Sequence, residues 1–345
     1  MISVVIPLFN KAHTIVNTLK SVFAQTYQNF EVIIVDDGST DNGVDVVKSN
    51  FNDSRIRIIQ QKNSGVSVAR NNGAYNAKSD WLTFLDADDE WQPGFLAEII
   101  HLINNHPNVD FVGTGGYHKD AKTGKISPMV MNKYVDKEVV LNYFINPDKM
   151  PHLGATAIRK RIFEDVGGFP KNIKAGEDLW LLYKIGLQSK IAYSGKSLHV
   201  YVGNVEGQTT KVLNSPQDAL MGQKISASIM SDIYEKCEKN GKGNKLVPEF
   251  IRYRIYHSYL CCFRRNDYES IKTLSDNLSY DLKKMIGILF VKLTYKRECR
   301  RLLMLYIFLK KMIWRMHGYP RVGEKIDKRK EIVEKYINIS KYNEF

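Results

Sequence analysis

Trp81-Leu82-Thr83-Phe84-Leu85-Asp86-Ala87-Asp88-Asp89-Glu90-Trp91 is an apolar run that ends in a cluster of carboxylates. Residues 81–85 read as a buried strand, which puts the acidic residues at its C-terminal end. Outward from this stretch the chain alternates between two textures. Upstream, Ser3-Val4-Val5-Ile6 is a β-branched strand signal closed by Pro7, and residues 11–25 space Ile15, Leu19, Val22 and Phe23 as one face of a helix. Val32-Ile33-Ile34-Val35 is a second continuous apolar strand, stopped by the turn-forming Asp36-Asp37-Gly38-Ser39-Thr40-Asp41. Residues 55–60 read as a strand and 66–76 as a helix, and after the acidic cluster residues 94–105 form another helix. This βαβαβαβα order, with strands apolar throughout rather than alternating, predicts an α/β fold with a mostly parallel sheet covered on both faces. In such sheets ligands bind beyond the C-terminal ends of the strands, where the aspartates cluster.

After about residue 214 the strand signals fade and long helical patterns take over, at 219–240, 246–265, 268–277, 283–292, 296–316 and 325–336. Charge divides the chain at nearly the same place. Residues 1–210 hold 22 Lys+Arg against 22 Asp+Glu, whereas residues 211–345 hold 28 against 15, so the whole net charge of +13 lies in the last third. A basic helical appendage of this kind suits phosphates or an anionic membrane surface. Residues 283–316 combine cations with apolar and aromatic side chains, as in a helix lying in a membrane interface; packing against the catalytic part or a dimer interface is the alternative. The cysteines Cys237, Cys261, Cys262 and Cys299 have no CxxC spacing, which argues against a zinc site or disulfide framework and for a reducing compartment. The first residues lack a signal-peptide pattern, and no 18-residue apolar run occurs, so a cytoplasmic, non-spanning protein is expected.

Two aspartates one residue apart at a strand end, Asp86 and Asp88, offer hard oxygen ligands to Mg²⁺ or Mn²⁺, which take their remaining ligands from water and a diphosphate. Taken alone, the same residues serve as caps for the next helix, where negative charge also favours the helix dipole. Asp37, in the turn after the second strand, is suited to accept the imide N–H of a uracil, or simply to shape the turn. Glu177-Asp178 comes after Gly176 and precedes Leu179, Leu181 and Leu182, which also fits an ordinary helix N-terminus.

Order decides between these readings. Val4–Asn10, Glu31–Asp41, Asn63–Asn71 and Leu85–Asp89 are succeeded by Val166-Gly167-Gly168-Phe169-Pro170 and Gly176-Glu177-Asp178-Leu179-Trp180, and this series over residues 1–210 closely resembles the family 2 glycosyltransferases of the GT-A fold. The resemblance implies a Rossmann-like GT-A catalytic domain at 1–213, with a nucleotide-sugar half at about 1–110 and an acceptor half at about 111–213, and then a basic α-helical domain at 214–345. It implies that Pro7 and Phe9 flank the nucleoside, Asp37 binds the uracil edge, and Arg70 contacts the nucleotide or its diphosphate. Asp86 then sits near the ribose and Asp88 ligates Mn²⁺ or Mg²⁺. Asp178 becomes the general base, Glu177 positions a sugar hydroxyl, and Trp180 packs near the acceptor, with His152 and His199 as further candidates at the acceptor, diphosphate or metal.

The reaction implied by the resemblance is an inverting transfer of one sugar from a nucleotide-sugar, UDP-sugar favoured, to a saccharide or lipid-linked saccharide in surface-polysaccharide synthesis. A QxxRW segment, usual in processive members, is missing. Residues 203–210, polar and glycine-containing, suit a flap over the donor or a plain linker. Two competing readings are a catalytically silent scaffold of the same fold and a basic nucleic-acid-binding protein; the second leaves the acidic clusters without a purpose. The dinucleotide and P-loop fingerprints are absent.

Overall fold

A computed structural model describes residues 1–130, 134–145, 151–171, 176–206, 216–239 and 246–316. These fall into two compact units. The first carries all the strands: β1 (Ile2–Leu8), β2 (Phe30–Asp36), β3 (Ile56–Gln60), β4 (Trp81–Phe84), β5 (Glu90–Trp91), β6 (Phe111–Asp120), β7 (Ile126–Met129), β8 (Glu138–Leu141), β9 (Thr156–Arg159) and β10 (Ile191–Gly203). Its helices are α1 (Ile15–Phe23), α2 (Gly43–Asn50), α3 (Val66–Tyr75), α4 (Phe95–Asn105), α5 (Lys160–Asp165) and α6 (Glu177–Gln188).

The strands form one sheet in the order β3-β2-β1-β4-β9-β6-β10-β5, with β7 added on β6 and β8 on β10. The expected parallel arrangement holds for β3-β2-β1-β4 and again for β6 with β10. Between them β9 runs antiparallel to both β4 and β6, and β5, β7 and β8 are antiparallel as well, so the sheet is mixed. Apolar content marks a strand as buried and is silent about its direction.

β1 continues through Pro7, where the sequence suggested an end. Its pairing with β4 stops at Val5 opposite Phe84, while pairing with β2 goes on to Leu8 opposite Asp36. Pro7 therefore sits where β1 has one neighbour, a place that tolerates a residue without an amide hydrogen. The same divergence lets the chain after β4 leave the sheet with its carboxylates. Ile15, Leu19 and Val22 of α1 pack fully buried in the core with β1 and β2, and α3 sits closer still: a Cβ at Gly73 would lie 2.4 Å from Val5 Cγ1.

The second unit is helical: α7 (Pro216–Lys239), α8 (Leu246–Arg265), α9 (Tyr268–Asn277), α10 (Tyr280–Ile286), α11 (Ile288–Thr294) and α12 (Arg300–Met316), together with the short turn Tyr143–Ile145. α8 is its centre, burying Phe250, Ile251, Tyr256, Tyr259 and Phe263. Phe144 meets Phe250 edge-on at 5.0 Å, Phe290 stands edge-on to Tyr256 at 5.0 Å, and the Tyr256 hydroxyl donates to the Ile286 carbonyl at 2.7 Å. The single helix expected at 283–292 is two, because Gly287 adopts a φ of 103° between α10 and α11. Likewise 296–316 resolves into a turn at Arg297–Cys299 and then α12. The expected boundary at 213/214, the helix at 325–336 and residues 207–210 of the suggested flap lie outside the described residues.

Candidate active site

The end of β1 passes through Phe9, 43 % exposed, into Asn10, whose φ of 52° is left-handed. Asn10 is strapped in that conformation. Its side-chain oxygen accepts from the Thr40 amide (2.8 Å), the Thr40 hydroxyl (3.2 Å) and the Asp41 amide (3.3 Å), and its own N–H donates to Ser39 Oγ at 3.1 Å. The turn aims Lys11 inward, where Nζ reaches Asp88 Oδ2 at 2.7 Å and the Glu206 carbonyl at 3.2 Å. Backbone strain held by several hydrogen bonds is characteristic of functional sites.

Asp37 lies buried after β2. Its carboxylate accepts from Gln61 Nε2, the Ser64 amide and the Gly65 amide, each at 2.8 Å, and so shapes the 61–65 loop. Gly38 has a φ of 72°, and a Cβ there would sit 2.8 Å from the Asn63 amide nitrogen, so this tight turn requires glycine. A carboxylate has about four acceptor positions, which leaves Asp37 able to take one further donor.

α3 ties the parts of the site together. Arg70 is buried, with Nη2 donating to Asp86 Oδ1 at 2.6 Å and Nη1 to Glu177 Oε1 at 2.8 Å, and its guanidinium lies 5.3 Å from the centre of the Phe169 ring. Burial alone would weaken its hold on the proton, but the Asp86, Glu177 and Asp178 carboxylates overcome that and raise its pKa. Arg70 Nε has no hydrogen-bond partner. The next residue, Asn71, clamps the Gly167–Phe169 segment in both directions: Nδ2 donates to the Phe169 carbonyl and Oδ1 accepts the Phe169 amide, both at 2.8 Å. Asn71 thus holds Phe169, and Arg70 holds Glu177, the first residue of α6, with Asp178 next to it.

Asp178 is half-buried, with Oδ1 accepting the Leu179 amide at 2.7 Å. Desolvation, with Glu177 beside it, outweighs the pull of Arg70 and pushes its pKa up to about 6. Burial, and then Asp86, also raises the Asp88 carboxyl, against the opposing hydrogen bond from Lys11. Asp89 is raised further by burial and by Asp86 and Asp88; it accepts the Val202 amide at 3.0 Å and lies 3.2 Å from His199 Nε2. Burial holds His199 down to about 4, which keeps its imidazole neutral. Asp89 and His199 hold the acidic turn against β10.

Sequence reasoning thus brought Arg70, Asp86, Glu177, Asp178 and Asp88 to one place, and the structure joins the first three by hydrogen bonds. His152 lies at the edge, its ring 6.4 Å from His199 and 5.8 Å from Tyr201, with its pKa lowered by desolvation and by His199 and His118. The Trp180 ring carries Lys184 Nζ 3.7 Å from its centre. Pro7 pairs with Val35 in the sheet. Lys11, Asn71 and Asp89 carry parts of the arrangement that the sequence reading did not assign. A cleft of about 410 Å³ opens beside Asp88 and Glu206, with Asn17, Glu90, Lys119 and Val202 in its walls.

For a divalent cation, the donor set is narrow. No group of three His, Cys, Asp or Glu side chains among the described residues is arranged to hold one, and one oxygen of Asp88 is engaged by Lys11. A single carboxylate fits a cation that draws its other ligands from a bound diphosphate and water, as Mg²⁺ commonly does.

Comparison with known proteins identifies the class. Residues 3–167 match the model of glycosyl transferase family 2, and the chain belongs to that family. It is 31 % identical over 236 residues to an uncharacterised glycosyltransferase of Rickettsia conorii, covering 68 % of this chain and 37 % of that protein. An uncharacterised glycosyltransferase of Haemophilus influenzae is 31 % identical over 188 residues, 54 % of this chain and 62 % of that one. The chain therefore spans between about a third and three fifths of the length of such relatives. Among solved structures, S. aureus TarS 1–349 in complex with UDP-GlcNAc superposes with a TM-score of 0.64 at 20 % identity, over 94 % of each chain, which shows a shared fold. No described helix is long and apolar enough to cross a membrane.

Proposed function

We propose that the chain is an inverting glycosyltransferase that moves one sugar from a nucleoside-diphosphate sugar, UDP-sugar favoured, to a hydroxyl of a saccharide or lipid-linked saccharide. The setting is surface-polysaccharide synthesis, with the protein in the cytoplasm and peripheral on the inner face of the cell membrane. The observation that carries the reading is Asp178: a carboxylate with a pKa raised to about 6, at the start of a helix that Arg70 links to the acidic turn after β4.

A base of that pKa is ionised at neutral pH and still close enough in proton affinity to accept a proton during attack. Asp178 takes the proton of the acceptor hydroxyl as its oxygen forms a bond to the anomeric carbon. The bond to the diphosphate oxygen breaks on the opposite face, its electron pair leaving with the nucleoside diphosphate, so the anomeric configuration inverts. Glu177, oriented by Arg70, is suited to hold a sugar hydroxyl in line. On the donor side, the exposed Phe9 ring offers a face for the base, with Pro7 beside it, and the remaining acceptor position of Asp37 suits an imide N–H. Asp86 faces the ribose and diphosphate. Mn²⁺ or Mg²⁺ held by Asp88 and the diphosphate oxygens would stabilise negative charge on the leaving group. The likeness in fold to a protein solved with UDP-GlcNAc and with UDP supports the donor class.

The test is release of nucleoside diphosphate from a panel of UDP-, dTDP- and GDP-sugars with Mn²⁺ or Mg²⁺, then with EDTA. Turnover of one donor, abolished by EDTA, by Asp88→Ala and by Asp178→Ala, is expected. Binding of a donor with no turnover over a panel of saccharide and lipid-linked acceptors would instead favour the silent scaffold.

A further inference from the structure

α12 is apolar on two opposite sides. Leu303 and Ile307, one turn apart, are fully buried in the helical unit. The other side is open: Leu302, Leu305 and Leu309, at i, i+3 and i+7, are 61 %, 54 % and 49 % exposed, and Phe308 beside them is 54 % exposed. A helix that only packed onto its own domain would turn polar residues outward, and contiguous exposed apolar side chains mark an interaction surface.

The surrounding charge selects the partner. Residues 283–310 contain eight Lys and Arg and one carboxylate, Glu298. Arg301 shares the open side with Leu305 and Phe308 through its i, i+4 and i+7 spacing, and Lys310 Nζ lies 5.5 Å from the ring of the part-exposed Tyr306. A second copy docked on α12 would bring two such cationic sets together, with like charges opposed. Residues 317–345 hold seven Lys and Arg against five Asp and Glu, so they carry no net negative charge to offset the cations of α12. An anionic lipid surface supplies both requirements: apolar acyl chains for the leucines and Phe308, and headgroup phosphates for the cations, whose long stems reach outward from an embedded helix.

We propose that the open face of α12, centred on Leu305 and Phe308, is the surface by which the protein lies on an anionic bilayer. The inference rests on the proposed peripheral location and assigns it to named residues. It bears on function because an acceptor anchored in lipid is confined to that same plane.

The experiment is co-sedimentation of the full chain with phosphatidylcholine vesicles, with and without about 30 % phosphatidylglycerol. Wild-type protein is expected to bind the anionic vesicles at least about tenfold more tightly than the neutral ones. The pair Leu305→Ser and Phe308→Ser, at exposed positions, is expected to lose at least about tenfold in binding with an unchanged circular dichroism spectrum and melting temperature. Arg301→Glu with Lys292→Glu provides a second route to the same loss without touching an apolar side chain. No sedimentation of wild type, with a monomer by light scattering, overturns the proposal in favour of a face covered by the chain itself. No sedimentation with a dimer that Leu305→Ser dissociates overturns it in favour of a second copy. Binding of UDP, dTDP and GDP, measured by calorimetry on the same preparation, separates the two readings: nucleotide binding without vesicle binding defeats the surface alone, and vesicle binding with none of the three nucleotides bound defeats the transferase alone.

Discussion

The two units handle charge in opposite ways. In the first, which is neutral overall through residue 210, key charges are drawn inward and paired: Lys11 with Asp88, and Arg70 with both Asp86 and Glu177. In the second, cations outnumber carboxylates and many, such as Lys292 and Arg301, stand in solvent. Charge that is buried and paired fixes geometry, and removing one partner exposes the cost of burying the other. Charge that is exposed does little for the fold and much for what the surface attracts.

The largest test of this contrast is Asp178→Asn, expected to lower kcat by about 10³-fold while leaving UDP affinity within a factor of about two, since in the proposed mechanism the base acts only on the acceptor. Donor-binding calorimetry beside steady-state kinetics checks it. In the same assay, kcat/KM of the wild type should rise with pH through about 6, because a proton acceptor at Asp178, as proposed, works only when deprotonated. Next in size is Arg70→Met, which strands the buried Glu177 while the more exposed Asp86 turns to solvent; denaturant unfolding should show a loss of about 3 kcal/mol. Smaller, and opposite in sign, is the effect of Asp178→Asn on stability. A folded-state pKa raised from 3.8 to about 6 means that the folded state holds the proton more tightly, so this carboxylate's contribution falls as pH rises through that window. The asparagine variant should therefore be more stable at pH above 7 by about 1 kcal/mol, allowing for the half-exposed position, with the advantage fading below about pH 4. Smallest is Lys292→Ala or Arg301→Ala, expected within about 0.5 kcal/mol of wild type in the same unfolding experiment. A loss as large as that of Arg70→Met would erase the distinction between the units.

How much of this was legible in the sequence differs by kind of feature. Local periodicity gave β1 to β4, α1, α3 and α4 to within about four positions, and α8 and α9 at their observed ends, but it gave no range for the short α2 (Gly43–Asn50) and missed the two-residue β5 inside the acidic turn. Gly287 was visible as a residue but not as a break, because the flanking Ile286 and Ile288 continue the helical pattern through it. The site residues that resembled a known series were readable in order. Lys11, Asn71 and Asp89 were not assigned, and the reason is physical: their partners lie 77, 98 and 110 positions away, at Asp88, Phe169 and His199. A lysine after a strand or an asparagine in a helix is locally unremarkable; only the sheet order brings such pairs together. The antiparallel insertion of β9 was hidden for the same reason, since its neighbours β4 and β6 are decided by topology.

The Asp37 cradle has a thermodynamic consequence. Because its carboxylate already gathers Gln61, Ser64 and Gly65, the entropy lost in ordering the 61–65 loop is lost when the chain folds and not when a nucleotide arrives. A nucleobase bound there, as proposed, would meet a rigid receptor, and its binding heat would reflect contact and water release with little refolding of the loop mixed in.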